Sequence, residues 1–272
     1  MKEYPKEDLA EKNIIKPHKL YEDGSIYYGE FNTTNDKDIR SGRGILIKKD
    51  KSKYEGQWKS DKPNGIGKLT YQNGDYYFGS WKNGNVEGKG IFVHLNGSTY
   101  DGNWKNNFQN GQGIETFPDG SEYKGNFEMG IKKGFGIFKW KNGAYYEGEF
   151  ENDMINGKGK YIFPDGKKYN GQWKNNKMDG NGRFEWPDGR IYEGEYNEGK
   201  KEGFGKYSFP DGRIYKGMWK NGKQEGEGMF YIPDKKIWKK GIWDKGKRIK
   251  WIEMEEEYKD NNENIEENDI NE

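Results

Sequence analysis

The sequence predicts an all-β protein: an elongated, curved single antiparallel sheet of about nine to ten stacked β-hairpins, with short helices at its ends. Three observations carry this. A tyrosine recurs every 23 residues, at Tyr54, Tyr77, Tyr100, Tyr123, Tyr146, Tyr169, Tyr192 and Tyr215, while Tyr27 stands 27 residues before Tyr54, so the first unit holds a four-residue insertion. Each period contains two short, alternating, aromatic-rich segments, which read as strands rather than helices. Turn dipeptides join the periods: Asn73-Gly74, Asn96-Gly97, Asp119-Gly120, Asn142-Gly143, Asp165-Gly166, Asp188-Gly189 and Asp211-Gly212, all tolerant of positive φ and strong hairpin signals.

Residues 1–20 form a charged leader with a helical signal over Lys6 to Ile14; Pro5 suits a first helical turn and Pro17 stops the helix. The array spans 21–246. Each unit opens with Tyr-x-Gly-x-Trp, as at Tyr54, Gly56 and Trp58, and continues with Gly-x-Gly, as at Gly65 and Gly67. Gly194, Gly203 and Gly205 repeat the set. Segments such as Lys82-Asn83-Gly84 supply the turn inside a unit. Side chains alternate along a strand, so Tyr, Gly and Trp share a face with the glycine pair and with the residues two and four beyond it. Those are Leu69 and Tyr71, Phe92 and His94, Phe138 and Trp140, Tyr161 and Phe163, Phe184 and Trp186, Tyr207 and Phe209, and Phe230 and Ile232. A side chain at the glycines would collide with a ring or stop the sheet curling. The opposite face carries polar residues such as Glu147, Glu149, Glu193 and Glu195, read as solvated charge.

In a degenerate tenth unit Trp238 stands at the tyrosine place and Lys240 at the glycine place, which suits a terminal cap. Over 247–260, Trp251, Met254 and Tyr258 fall at i, i+3 and i+7, the pattern of a capping helix. Residues 261–272 read as an acidic disordered tail.

Charged residues make up 34% of the chain and hydrophobic ones 30%, yet aromatics reach 16%, which suits rings laid over glycines better than an aliphatic core. The absence of cysteine excludes disulfides, thiolate metal sites and thiol nucleophiles. The N-terminus lacks an apolar signal region and no apolar run approaches the ~18 residues that span a bilayer, so the expected location is cytoplasmic. From Glu253 to Glu272 ten acids face one base, Lys259, a net charge of −9, against +10 on the preceding residues.

The sequence offers little for chemistry. Of two histidines, His94 falls in the aromatic row and His18 in the leader, which argues against a histidine metal site. No Gly-Lys pair is followed by Ser or Thr, so no nucleotide-binding loop is read. The expectation is a non-enzyme without cofactors.

The pattern Tyr-x-Gly-x-Trp-x-x-Gly-x-x-x-Gly-x-Gly with an Asp-Gly turn resembles the MORN repeat, in nine units over roughly Tyr27 to Ile237. Departures are mild: Phe31, Phe127, Phe150 and Tyr196 replace Trp, and Glu115 interrupts the aromatic row. The resemblance to repeat-only members implies a protein-interaction scaffold of the cytoskeleton, near radial-spoke proteins of the cilium or flagellum axoneme, with an extended or helical partner along an aromatic groove. That groove is assigned to Tyr100, Trp104, Tyr123, Phe138, Trp140, Tyr146, Tyr161, Phe163, Tyr169, Trp173, Phe184, Trp186, Tyr192, Tyr207 and Phe209. The expected partners are proteins, a second copy of the chain among them, and no nucleic acid. The alternative is a peripheral phospholipid-binding adaptor, on the basic clusters Lys200-Lys201, Lys235-Lys236, Lys239-Lys240 and Lys245 to Arg248.

Overall fold

The computed structural model describes residues 14–34 and 37–253, which form β-strands and one 3₁₀ turn. The chain divides into two compact units, Met1–Lys141 and Asn142–Glu272. In each, strands pair antiparallel with their neighbours in sequence.

Two kinds of strand alternate. Tyrosine strands of seven residues are Lys53–Lys59, Tyr76–Lys82, Thr99–Lys105 and Glu122–Glu128 in the first unit. In the second they are Tyr145–Glu151, Lys168–Lys174, Ile191–Asn197 and Ile214–Lys220. Each is followed by a longer glycine strand, such as Lys62–Thr70, Asn85–Val93, Phe108–Thr116 and Ile131–Lys139, or Met154–Ile162, Lys177–Glu185, Lys200–Ser208 and Lys223–Ile232.

Every such hairpin carries a bulge at one place. Gly56 pairs with Gly67, but two residues on Trp58 pairs with Pro63, so the glycine strand holds extra backbone around Gly65 (φ +95°). The bulge leaves Gln57 without a partner on that strand, and its own groups mend the ladder. The Gln57 side-chain oxygen accepts the N–H of Ile66 at 2.7 Å, and its carbonyl accepts the Tyr54 hydroxyl at 2.9 Å. The same arrangement recurs at Gln172, whose side chain accepts Asn181 N–H at 2.7 Å. Glu149 and Glu195 do likewise for Lys158 and Phe204, each at 3.1 Å. These two exposed glutamates are therefore structural acceptors as well as solvated charges. Of their neighbours, Glu147 accepts the Tyr145 hydroxyl and Glu193 pairs with Arg183.

The two turns differ from the simplest sequence reading. Within a hairpin both central residues take positive φ, as at Asn83 (51°) and Gly84 (89°) or Asn106 (48°) and Asn107 (70°), the type I′ pattern matched to strand twist. The second of them also donates its N–H to the preceding hairpin: Gly84 to Pro63 O at 2.8 Å, Asn107 to Val86 O at 3.1 Å, Gly199 to Met178 O at 2.8 Å. The Asp-Gly and Asn-Gly dipeptides between repeats instead form Asx turns. Asp23, Asn73, Asn96 and Asp119 each accept the N–H two residues on, as do Asn142, Asp165, Asp188 and Asp211, and only the glycine has positive φ. Asp50 accepts the Ser52 N–H in the same way, with Lys51 (φ 66°) in the glycine's place. A side-chain oxygen holding its own backbone is why Asp and Asn fill the place.

The core is a ladder of rings at right angles. In the first unit Tyr27 packs edge-on against Trp58, Tyr54 against Trp58 and Trp81, Tyr77 against Trp81 and Trp104, and Tyr100 against Trp104 and Phe127, at 4.9–5.4 Å. In the second, Tyr146, Tyr169, Tyr192 and Tyr215 alternate with Trp173, Tyr196, Trp219 and Trp243. Such edge-to-face pairs add ~0.5–1.5 kcal/mol each beyond area burial. The tryptophans also bond backwards: Trp58, Trp81, Trp104, Trp173 and Trp219 donate Nε1–H to the carbonyls of Gly44, Gly67, Gly90, Gly159 and Gly205 at 2.9–3.3 Å.

The ends correct the expected terminal helices. Ile14–Leu20 is a strand paired with Ile26–Thr34, so the sheet begins inside the expected leader; the rest of that segment lies outside the described residues. The four-residue insertion lengthens the first hairpin, adding the rungs Thr33–Asp38 and Thr34–Lys37. The 3₁₀ turn Pro233–Lys235 precedes the tenth unit, and Lys236 follows with positive φ. One residue is absorbed there, and a one-residue slip moves every side chain to the other face. Gly241, not Lys240, faces Gly228, Lys239 faces Phe230 where a tyrosine would, and Trp243 faces Gly226. Trp238 leaves the ladder and packs on Tyr231 at 5.3 Å. Lys247–Ile252 is a strand rather than the start of a helix, and its Trp251 closes on Trp243 and Phe230. Met254, Tyr258 and the 261–272 tail lie outside the described residues.

Candidate functional site

The structure separates the fifteen groove residues into two sets. Tyr100, Tyr123, Tyr146, Tyr169, Tyr192 and Trp173 are buried in the ladder, with Tyr100, Tyr146, Tyr169 and Tyr192 each covered by the aromatic of the next repeat; Phe184 and Tyr207 are buried beside them. Tyr123, Tyr146, Tyr169 and Tyr192 are 0% exposed, so their rings have no surface to offer. Trp104, Phe138, Trp140, Tyr161, Phe163, Trp186 and Phe209 are half-buried.

Six of these half-buried rings belong to a second aromatic row, two and four residues beyond the glycine pair, flanking the ladder. In the first unit Phe117, Phe138 and Trp140 stack at 5.5 and 4.3 Å, with interplanar angles of 28° and 29°. In the second, Phe163, Phe184, Trp186, Tyr207, Phe209 and Phe230 follow one another at 4.4–6.1 Å. Rings of this row reach the ladder tangentially, Tyr161 to Trp173 and Tyr207 to Trp219 both at 5.9 Å. Each ridge is thus seated on the core and open on its other side. Phe117 was not among the predicted residues; its place beside Glu115 masked it. His94 extends the row by packing at a tilt of 58° on Phe92, 4.6 Å between ring centres, while its Nδ1 meets Asp75 at 3.2 Å.

The glycines serve this layout. A Cβ on Gly56 would approach Gly67 Cα and the Tyr54 hydroxyl, and one on Gly194 would stand 2.6 Å from Gly205 Cα and 2.7 Å from Tyr192 Oη. Gly67 and Gly205 lie under the same two rings. Gly65 and Gly203 (φ +68°) occupy the bulges.

Electrostatics concentrates at three cations set among rings. Arg40 lies 4.5 Å from the Trp58 ring centre and pairs with Asp61 at 3.1 Å. Lys132 lies over Phe117, Tyr123 and Phe127 and pairs with Glu115 at 2.5 Å. Lys201 lies over Trp186, Tyr192, Tyr207 and Trp219 at 4.6–4.9 Å; burial, then the nearby Arg190 charge, pushes its ammonium down to about 8. Burial pushes the ladder tyrosines well above their ordinary range. At the turns, hydrogen bonds from Ser25, Ser52, Arg190 and Arg213 hold Asp23, Asp50, Asp188 and Asp211 low. Among the described residues no group of three or more His, Asp or Glu could hold a metal ion.

The MORN repeat profile matches eight consecutive segments, 54–76, 77–99, 100–122, 123–145, 146–168, 169–189, 192–212 and 215–236. Comparison with curated proteins finds no match. Among solved structures, the TCP10 domain of Danio rerio CPAP, in complex with a STIL peptide, is 12% identical with a TM-score of 0.47, covering 88% of this chain and 99% of that one. The TCP domain of Drosophila melanogaster SAS-4, in complex with a proline-rich motif of Ana2, is 12% identical with a TM-score of 0.37, covering 65% and 90%.

Proposed function

The chain belongs to the MORN-repeat family, and from that premise we propose that it is a non-catalytic protein-interaction scaffold whose docking surfaces are the half-buried aromatic ridges. The observation that carries this reading is the division of labour between the two rows. The ladder consumes Tyr and Trp of the first strand in holding repeats together, whereas Phe138, Trp140, Phe163, Trp186 and Phe209 keep an open side. Rings anchored below and open above cost little side-chain entropy on binding, and aromatic anchors of this kind dominate interfaces. An extended or helical partner segment would lay apolar side chains along a ridge. The cytoskeletal and axonemal setting is part of the proposal and follows from the family.

The test is affinity capture followed by quantitative binding to the captured partner. Trp140→Ala and Trp186→Ala remove one ring from each ridge without touching the ladder. Each is expected to weaken binding by roughly 2 kcal/mol, about thirty-fold in Kd, with an unchanged far-ultraviolet spectrum. A folded double variant that binds as tightly as the parent moves the docking surface off the ridges. Binding to anionic vesicles that persists at physiological salt, with no protein captured, would favour a lipid adaptor instead.

A further inference from the structure

Among the three cations that each lie over three or more rings, Arg40, Lys132 and Lys201, the last differs from the other two in what faces it. Lys132 and Lys201 hold the same place in their repeats, nine residues after Tyr123 and Tyr192. The acid of Lys132, Glu115, lies on the neighbouring strand directly opposite Tyr123. The residue opposite Tyr192 in that position is Phe184. The acid of Arg40 is Asp61 in the next type I′ turn, whose N–H bonds to the Arg40 carbonyl. The turn residue that bonds to the Lys201 carbonyl is Gly222. Both places from which this fold supplies a carboxylate are therefore filled without one, and among the described residues no carboxylate lies within ion-pair distance of Lys201.

The groups facing the ammonium are the rings of Trp186, Tyr192, Tyr207 and Trp219 and the Arg190 guanidinium. Arg190 is itself bonded to Asp188 at 2.7 Å and lies 5.3 Å from the Trp186 ring centre. Two cations thus share one aromatic surface, and among the described residues the more buried of them has no anion. Cation–π contact returns part of the lost hydration, but a charge taken out of water calls for an opposite charge as well.

We propose that Lys201 anchors a carboxylate-binding site, and that acidic side chains of residues 254–272 of the same chain fill it. Charge and reach select this occupant. Residues 254–272 carry nine acids and one base, and the rest of the chain is basic. The segment leaves the strand Lys247–Ile252, separated from Lys200–Ser208 by three strands. Four strand spacings are roughly 19 Å, and an extended segment of this length spans up to roughly 60 Å. Tethering also gives the acids an effective concentration on the order of millimolar, ahead of a dilute external acid. The site goes beyond the docking ridges and stands whether or not they bind a protein.

The test follows the Lys201 ammonium in the full chain by NMR of ¹³C-methylated lysines. The resonance is assigned by its loss in Lys201→Met, a change the fold accepts because Met178 holds the equivalent place. Two chains are compared at low salt: the parent, and one in which every acid from Glu255 to Glu272 is changed to its amide. Lys201 is expected to titrate near 8 in the amide chain and about one pH unit or more higher in the parent, the difference collapsing at molar salt. Adding a synthetic peptide of residues 254–272 to the amide chain should restore the upward shift. Identical titration in the two chains overturns the proposal, and so does a shift that survives molar salt. A partner acid bound with no parent-to-amide difference would likewise make another molecule, not this segment, the ligand.

Discussion

The ring of Tyr100 lies across Gly113, so close that a Cβ on this glycine would stand 2.5 Å from both Oη and Cε2 of the ring. The Tyr100 hydroxyl is at the same time held by the Asn103 carbonyl at 2.9 Å, which leaves the ring no room to retreat. Gly113→Ala is therefore expected to cost at least ~3 kcal/mol, the upper range of overpacking. Gly97 has an unusual backbone (φ +90°) but nothing within 4 Å of a Cβ, so Gly97→Ala should cost only ~1 kcal/mol. Urea denaturation of both variants measures the contrast; equal losses would mean that backbone conformation, not the ring, enforces Gly113.

Tyr196 stands at the place where Trp173 and Trp219 bond to the preceding repeat, but its buried hydroxyl has no hydrogen-bond partner among the described residues. Phe127 and Phe150 fill the same place without a hydroxyl. Tyr196→Phe should raise stability by ~1 kcal/mol, by removing an unsatisfied polar group. Tyr196→Trp should also stabilise, its indole N–H reaching the Gly182 carbonyl as Trp173 reaches Gly159. Destabilisation by the Phe change, read by the same denaturation, would show that the hydroxyl has a partner in solution.

Alkaline pH acts on the ladder through its hydroxyls. Burial raises the folded-state pKa of Tyr27, Tyr54, Tyr77, Tyr100, Tyr146, Tyr169 and Tyr192, and that of Tyr215 to about 12, while an unfolded tyrosine ionises near 10. Their contribution is complete below about pH 10 and is lost as the pH climbs above it, because only the unfolded chain then releases protons. With no carboxylate bound to it, Lys201 has the opposite sign: its lowered folded-state pKa penalises folding below about 8, and the penalty fades as the unfolded lysine approaches its own pKa near 10.4; a bound carboxylate shrinks that penalty. Stability should thus peak between these windows and collapse cooperatively at higher pH. Absorbance at 295 nm should report tyrosine ionisation coincident with loss of structure; most tyrosines titrating near 10 in a folded chain would contradict the burial of the ladder.

The repeat was legible because its glycines answer a steric demand that sequence displays directly: Gly113 has no alternative under Tyr100. Three features were hidden for identifiable reasons. Gln57, Glu149 and Glu195 alternate onto the polar face, where a bulge acceptor is indistinguishable from a solvated side chain. The tenth unit was misread by one place because Pro233–Lys235 absorbs a residue, turning Gly241 and Trp243 into the true counterparts of the glycine and tryptophan places. The burial of Tyr100 and Tyr192 depends on a ring supplied by the following repeat, and strand parity assigns a face but not its cover. The partner along the ridges is not legible at all, since Trp140 and Trp186 identify an aromatic surface without specifying what lies on it.

Within each unit, one set of the bonds that join repeats runs backwards along the chain. Trp81 reaches back to Gly67, Gly84 to Pro63, Trp219 to Gly205 and Gly222 to Lys201. For these bonds a newly made hairpin finds its acceptors already in place on the chain synthesised before it, while the N–H groups of Val86 and Ile155 wait for the side chains of Asn107 and Asn176 in the repeat that follows. Such an array suits vectorial growth at the ribosome, where a domain gains order as it emerges. It can lengthen by whole repeats without redesigning those already laid down.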